Sequence, residues 1–204
     1  MDSHDLRLVL LDCPVEASRP FIEGHLYLAV AADVDGTLSL VTEDDLEDLD
    51  LTLDEAFDVA WAGLREVAHP GELREVDTLP ELRYLDAADG LASSRMMVLP
   101  ELMEPLPFGG VIVAVPEPDQ LLCAPMESAA SIDGLQSLAS ALGHFESTKE
   151  GLLSDQLFWF DGQQWHPIPV EHGDEDITVH PPDAFVQMMS RLASVDWVQV
   201  AGEA

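Results

Sequence analysis

The alternation of apolar and polar positions divides the chain into hairpins separated by helices. Leu26, Leu28 and Val30 alternate with smaller or polar-tipped neighbours, and Leu38 and Leu40 resume the pattern after Asp33-Val34-Asp35-Gly36. This predicts strands over 25–32 and 37–42, with Asp35-Gly36 as the reversal. Leu53, Ala56, Phe57, Ala60, Leu64 and Val67 recur at helical spacing, and Thr52 with Glu55 forms a capping box ahead of them, so a helix is expected to about Ala68. A second strand pair is expected at 72–77 and 81–87, although Pro80 weakens it.

Residues 92–106 read as helical with a break at Pro100, because the residue before a proline resists helical dihedrals. "GVIVAV" and "QLLCA" form a third hairpin around "PEPD", and the unbroken apolar run implies burial on both faces. Ile132, Leu135, Leu138, Leu142 and Phe145 share one face of a helix over 131–146. The fourth hairpin joins "DQLFWF" to "QWHPIPV" through Asp161-Gly162, with its second strand at an edge, since Pro167 and Pro169 lack ladder donors. "EHGDEDITVHPP" reads as a polar loop. Pro182 opens a last helix with Ala184, Phe185, Met188, Met189 and Leu192 inward.

Hairpins joined by helices predict an α+β fold with a largely antiparallel sheet and helices packed on it. The 204 residues, 47% of them hydrophobic, suit one domain with a core over about 20–196 and an acidic connector at 43–52. Cys13 and Cys123 lie in apolar contexts and read as buried free thiols. The acidic start of the chain does not resemble a signal peptide, and no apolar run approaches a membrane span, so a cytoplasmic location is expected.

Charge changes the picture. Forty acidic residues face eight basic ones, among which Lys149 is the sole lysine, for a formal charge of −32. Such a chain has too few cations to bind nucleic acid or an anionic membrane. A basic protein partner is the association its field favours.

Two chemistries compete for the opening hairpin. Asp33-Val34-Asp35-Gly36-Thr37 carries the letters of a magnesium-dependent haloacid-dehalogenase phosphohydrolase, with Asp33 as nucleophile and Asp35 as acid. Thr148-Lys149 could supply the lysine, and Gly173 to Asp176 the metal-binding acids. However, Leu38-Ser39-Leu40 continues a strand where that chemistry needs a loop, and "VIVAV" ends in Pro116 rather than a hydroxyl residue. His166, His172 and His180 with Glu171, Asp174 and Asp176 match no ligand spacing. The hairpin reading is preferred, and no cofactor or metal is expected.

Several segments resemble the YtpQ-like bacterial family of unknown function. "HLYLAVAADVDGTLSLVTEDDLEDLDLTLDEAFDVAWAGL" is similar to its opening of strand, turn, strand, acidic pair and helix, with Asp54, Glu55, Ala56, Ala60 and Leu64 filling the helix pattern and Gly63 replacing the usual Asn. "DGLASSRMMVLPELMEPL" is similar to its Ser-Arg segment. "GGVIVAVPEPDQLLC" matches it at Pro116 and Asp119, with Pro118 in place of a basic residue. The likeness covers roughly residues 25–165 and implies a fold rather than an activity.

It also singles out Arg95 and Asp119, expected to meet as an ion pair that is either a structural tie or a small anion-recognising site. Trp159 and Trp165, beside Phe158 and Phe160, read as core and edge packing or as an aromatic face for a partner. These four residues are the binding candidates, and the function they suggest is non-enzymatic binding of a protein.

Self-repulsion at a charge of −32 generates the first prediction. The melting temperature should rise as ionic strength goes from ~10 mM to ~1 M and the Debye length contracts from ~30 Å to ~3 Å. A flat or falling melting curve would refute it.

Overall fold

The computed structural model describes residues 3–202 apart from Asp35, Pro70, Ala88, 149–151 and 174–175; of 146–148 and 195–202 only the backbone is described. The fold is α+β, with antiparallel pairing throughout the described ladders.

The chain enters through β1 (Leu6–Leu11), whose Leu6, Leu8 and Leu10 are buried while Arg7, Val9 and Leu11 are half-buried. The core therefore begins at Leu6 rather than near residue 20. β2 (Arg19–Ile22) and β4 (Thr37–Leu40) both pair with the long strand β3 (Leu26–Val34), whose other edge takes β1. The hairpin expected at Asp33–Gly36 is present: Val34 pairs with Thr37 across a two-residue turn, and Gly36 has φ +81°.

The acidic connector is partly helical. Thr42 caps α1 (Glu43–Asp48) in a capping box with Asp45, and Thr52 does the same with Glu55 for α2 (Leu53–Val67). In both boxes the threonine hydroxyl and backbone N–H donate to the carboxylate, which lowers the carboxyl pKa. α2 buries Ala56, Phe57, Ala60 and Leu64, whereas Val67 at its end is exposed.

β5 (Arg74–Val76) and β6 (Leu79–Asp86) form the second hairpin. Residues 92–106 split into a 3-10 helix at Ser93–Val98 and the short α3 (Leu99–Leu102), but the break falls at Val98 rather than at Pro100. Leu99 keeps helical dihedrals (φ −54°, ψ −37°), and Pro100 sits in the first turn of α3, where no helix bond needs its missing N–H. β7 (Val111–Ala114) and β8 (Gln120–Pro125) follow, then α4 (Ile132–Thr148), β9 (Leu157–Phe160) and β10 (Trp165–Ile168). The six-stranded sheet runs β10-β9-β7-β8-β6-β5, so β10 does lie at an edge. The expected polar loop after it is instead a small hairpin, β11 (Val170–His172) with β12 (Ile177–Val179). α5 (Asp183–Gly202) ends the described chain; Phe185, Met188 and Leu192 point inward, but Ala184 is exposed.

The central strands β7, β8 and β9 of the six-stranded sheet are covered on both faces, whereas the edge strand β5 is largely exposed. Val111, Val113, Leu121, Cys123, Phe158 and Phe160 face a core shared with β1, β3, α2 and the 3-10 helix. Ile112, Ala114, Ala124, Leu157 and Trp159 face α4 and α5. Alternation thus exists in β7 and β9, but between two apolar layers, which is why it reads as a continuous run. Cys123 is buried and its thiol is pushed up to about 12 by burial; Cys13, expected to be buried, is exposed. No helix among the described residues is long and apolar enough to cross a membrane.

Gly36 and Gly110 share a left-handed backbone, φ +81° and +77°, in different surroundings. A Cβ on Gly36 meets nothing within 4 Å, whereas on Gly110 it would collide with the Phe160 carbonyl oxygen. Gly36→Ala should cost about 1 kcal/mol in urea unfolding. Gly110→Ala should cost at least ~3 kcal/mol, because backbone of the central sheet must move as well. Equal losses would contradict this packing.

Candidate functional site

The strongest concentration of polar groups inside the molecule is the 3-10 helix after β6. Ser93, Ser94 and Arg95 are buried within a run from Leu91 to Leu99 that is buried throughout. A short 3-10 helix there has no amphipathic face to offer solvent, so its polar side chains go inside with the rest. The Ser93 N–H donates to the Pro118 carbonyl at 3.0 Å, and the Ala87 N–H to the Asp119 carbonyl at 3.1 Å. These backbone bonds dock the segment onto the β7–β8 turn.

Arg95 and Asp119 therefore belong to adjoining segments, yet their side chains do not pair. The guanidinium, 7% exposed, reaches Asp89 through Nη2 at 3.0 Å and Nη1 at 3.5 Å. Its Nε lies 3.6 Å from Glu72 Oε2, too far for a hydrogen bond, and both atoms are buried without one among the described residues. Asp89 also accepts the Leu91 N–H at 2.9 Å, which fixes the carboxylate that fixes the arginine. Arg95 thus ties the loop before β5 and the loop after β6 to the core.

A cleft of ≈610 Å³ opens beside this tie, between the start of β1, the second half of α2 and the Asp89–Arg95 segment. Its charged lining is His4, Arg7, Asp33, Glu66, Asp89 and Arg95. Arg7 is spent on backbone, donating to the carbonyls of His4 and Leu6. An incoming anion would have to displace Asp89 from Arg95 and face the carboxylates of Asp33 and Glu66. The arrangement therefore serves as a structural tie better than as an anion site.

Asp33 lines the same cleft, but its Oδ1 accepts the Gly36 N–H at 3.0 Å and so braces the hairpin turn. Asp35, Lys149 and Asp174 lie outside the described residues. The histidines go separate ways: His166 pairs with Asp161 at 2.9 Å, His180 with Glu171 at 3.5 Å, and His172 Nε2 sits 3.1 Å from the Ala139 carbonyl. No metal-holding group of three or more His, Cys, Asp or Glu occurs among the described residues.

The aromatic candidates are turned inward. Trp159 is 3% exposed and its indole N–H donates to the Gly109 carbonyl at 2.8 Å; Trp165 is half-buried against Phe160 and Phe21. They do not make an open aromatic face. Among the described residues the aromatic ring most open to solvent is Phe108, 73% exposed, which no sequence pattern singled out. Near the same hairpin, burial pushes the Asp161 carboxyl up. The N–H groups of Gln164 and Gln163 and the His166 ring outweigh that effect, leaving its pKa lowered.

Arg95→Ala should destabilise the fold by about 3 kcal/mol, since it removes a buried side chain and leaves Glu72 uncompensated. Asp119→Ala should cost about 1 kcal/mol or less, because the Asp119 group in use is its backbone carbonyl. Chemical denaturation of both variants checks this; a larger loss for Asp119→Ala would reverse the assignment.

No protein-family model matches the chain, and no curated protein or solved structure is similar to it at a significant level.

Proposed function

We propose that this is a non-enzymatic binding protein whose partner is a protein with a basic surface. One observation carries the reading: four of the eight basic residues are held in ion pairs within the chain, and the acids far outnumber the cations that remain. Arg19 pairs with Asp54, Arg65 with Glu101, Arg83 with Glu75, and Arg95 with Asp89 and Glu72. With forty acids against eight basic residues, the surface keeps a large excess of carboxylates that only an external cation can offset. Nucleic acid and anionic lipid would add to that excess. A cytoplasmic location and a YtpQ-like ancestry belong to the same proposal; the succession of hairpin, acidic segment and amphipathic helix over 26–67 supports the latter.

The rival reading, a magnesium-dependent phosphohydrolase using Asp33 and Asp35, asks for a nucleophile at the carboxyl end of a central parallel strand. Asp33 instead lies in an antiparallel hairpin and accepts a hydrogen bond from its own turn. The binding reading is therefore preferred.

Affinity capture in low salt from the native host, with stepwise salt elution, tests the proposal. The specifically retained proteins should be basic and should elute as salt screens the contact. Retention of acidic partners would overturn it, as would magnesium-dependent phosphatase activity that Asp33→Asn abolishes.

A further inference from the structure

A groove of ≈670 Å³ lies between the Val15–Ser18 turn, the end of β4 and the junction of α1 with α2. Its apolar lining is graded. Val41 and Leu46 are buried at the floor, Leu51 and Leu53 are half-buried, and Val15 and Leu40 stand 38% and 42% exposed at the lips. Its charged lining is Glu16, Glu43, Asp44 and Glu47, all exposed, with no basic residue among them. Arg19, just beyond Ala17, is already held by Asp54 and lies 4.0 Å above the Phe57 ring.

The lips are held by their own hydrogen bonds. Ser18 Oγ donates to the Val15 carbonyl at 2.7 Å and accepts the Val15 N–H at 2.9 Å. The Thr42–Asp45 capping box sets the start of α1, and the Leu51 N–H donates to the Leu46 carbonyl at 3.0 Å to set its end. A groove organised in this way loses little further freedom when filled. Helix stability accounts for Glu43 and Asp44 in the first turn of α1, where the helix dipole favours an anion, but not for Glu47 in its last turn, where the dipole disfavours one.

We infer that this groove receives a basic amphipathic segment of the partner, with apolar side chains on Val41 and Leu46 and lysine or arginine against Glu16, Glu43, Asp44 and Glu47. Charge complementarity selects this occupant. A second copy of the chain brings the same carboxylates, and an uncharged ligand would leave the rim unanswered. The inference rests on the basic-partner reading and adds to it a place and a binding mode.

The test uses the full chain and two probes, a short leucine–lysine amphipathic peptide and an oligolysine of equal charge. Wild type should bind the amphipathic peptide more tightly, and hydrogen exchange should slow over 40–53 when it binds. Leu40→Ser, at a position already exposed, should weaken amphipathic-peptide binding about tenfold and leave oligolysine unchanged, the factor expected from losing burial of an apolar side chain. Neutralising Glu16, Glu43 and Glu47 to Gln should weaken both probes more than neutralising Asp58, Asp77 and Glu104, which lie outside the groove. If Leu40→Ser has no effect, or protection falls elsewhere, the groove assignment is overturned while the basic-partner reading stands. If wild type binds neither peptide, both are overturned.

Discussion

Burial of the centre of the six-stranded sheet, strands β7 and β9 above all, on both faces is the constraint on which the other layers depend. Val111 and Val113 look into one core, and Ile112 and Ala114 into the other. No position in β7 can therefore carry a polar side chain, and the same holds for Leu157–Phe160 in β9. Strands so placed need covers on two sides. The sheet of β1–β4 with α2 supplies one, and α4 with α5 supplies the other. Where an aromatic side chain brings a polar atom into this region it finds a partner, as the Trp159 indole does in Gly109. The Pro107–Gly110 turn that offers this carbonyl is itself bonded twice to Met126, so packing and hydrogen bonding constrain the same few residues.

Arg95, the one buried cation among the described residues, inverts the charge pattern of the molecule. Outside, acids outnumber bases; inside, a buried guanidinium waits for acids to come to it. Asp89 and Glu72 do so from loops at either end of the β5–β6 hairpin. Such a pair adds little net stability over apolar packing, yet removing one partner is costly. Its effect is to hold two loops in a single arrangement against the core. A tie of that kind needs no ligand, which is why the cleft beside it does not by itself imply one.

Acidic side chains in neighbouring positions do different work. Asp45 and Glu55 are turned back onto Thr42 and Thr52 and stabilise the starts of α1 and α2. Glu43, Asp44 and Glu47 make no such return and stand around an apolar groove. The same composition thus yields carboxylates that serve their own helix and carboxylates left over for association, and only their local geometry separates the two.

Local chemistry made much of the fold legible. Asp35-Gly36, Thr52 with Glu55, Pro167 and the helical stripe of α2 each act within a few residues, and the elements they predict are present. Signals of the same range were available for two elements not expected: Leu6, Leu8 and Leu10 alternate along β1, and Thr42 with Asp45 is a capping box inside the acidic connector. Pairings between distant segments are another matter. That β7 lies between β8 and β9, that β1 joins β3, and that Arg95 meets Asp89 and Glu72 rather than Asp119 were decided by the tertiary structure. The reason is physical: with forty acids in the chain, nothing near Arg95 marks which will arrive beside it. That choice follows from how the layers close around a sheet whose centre is buried on both sides.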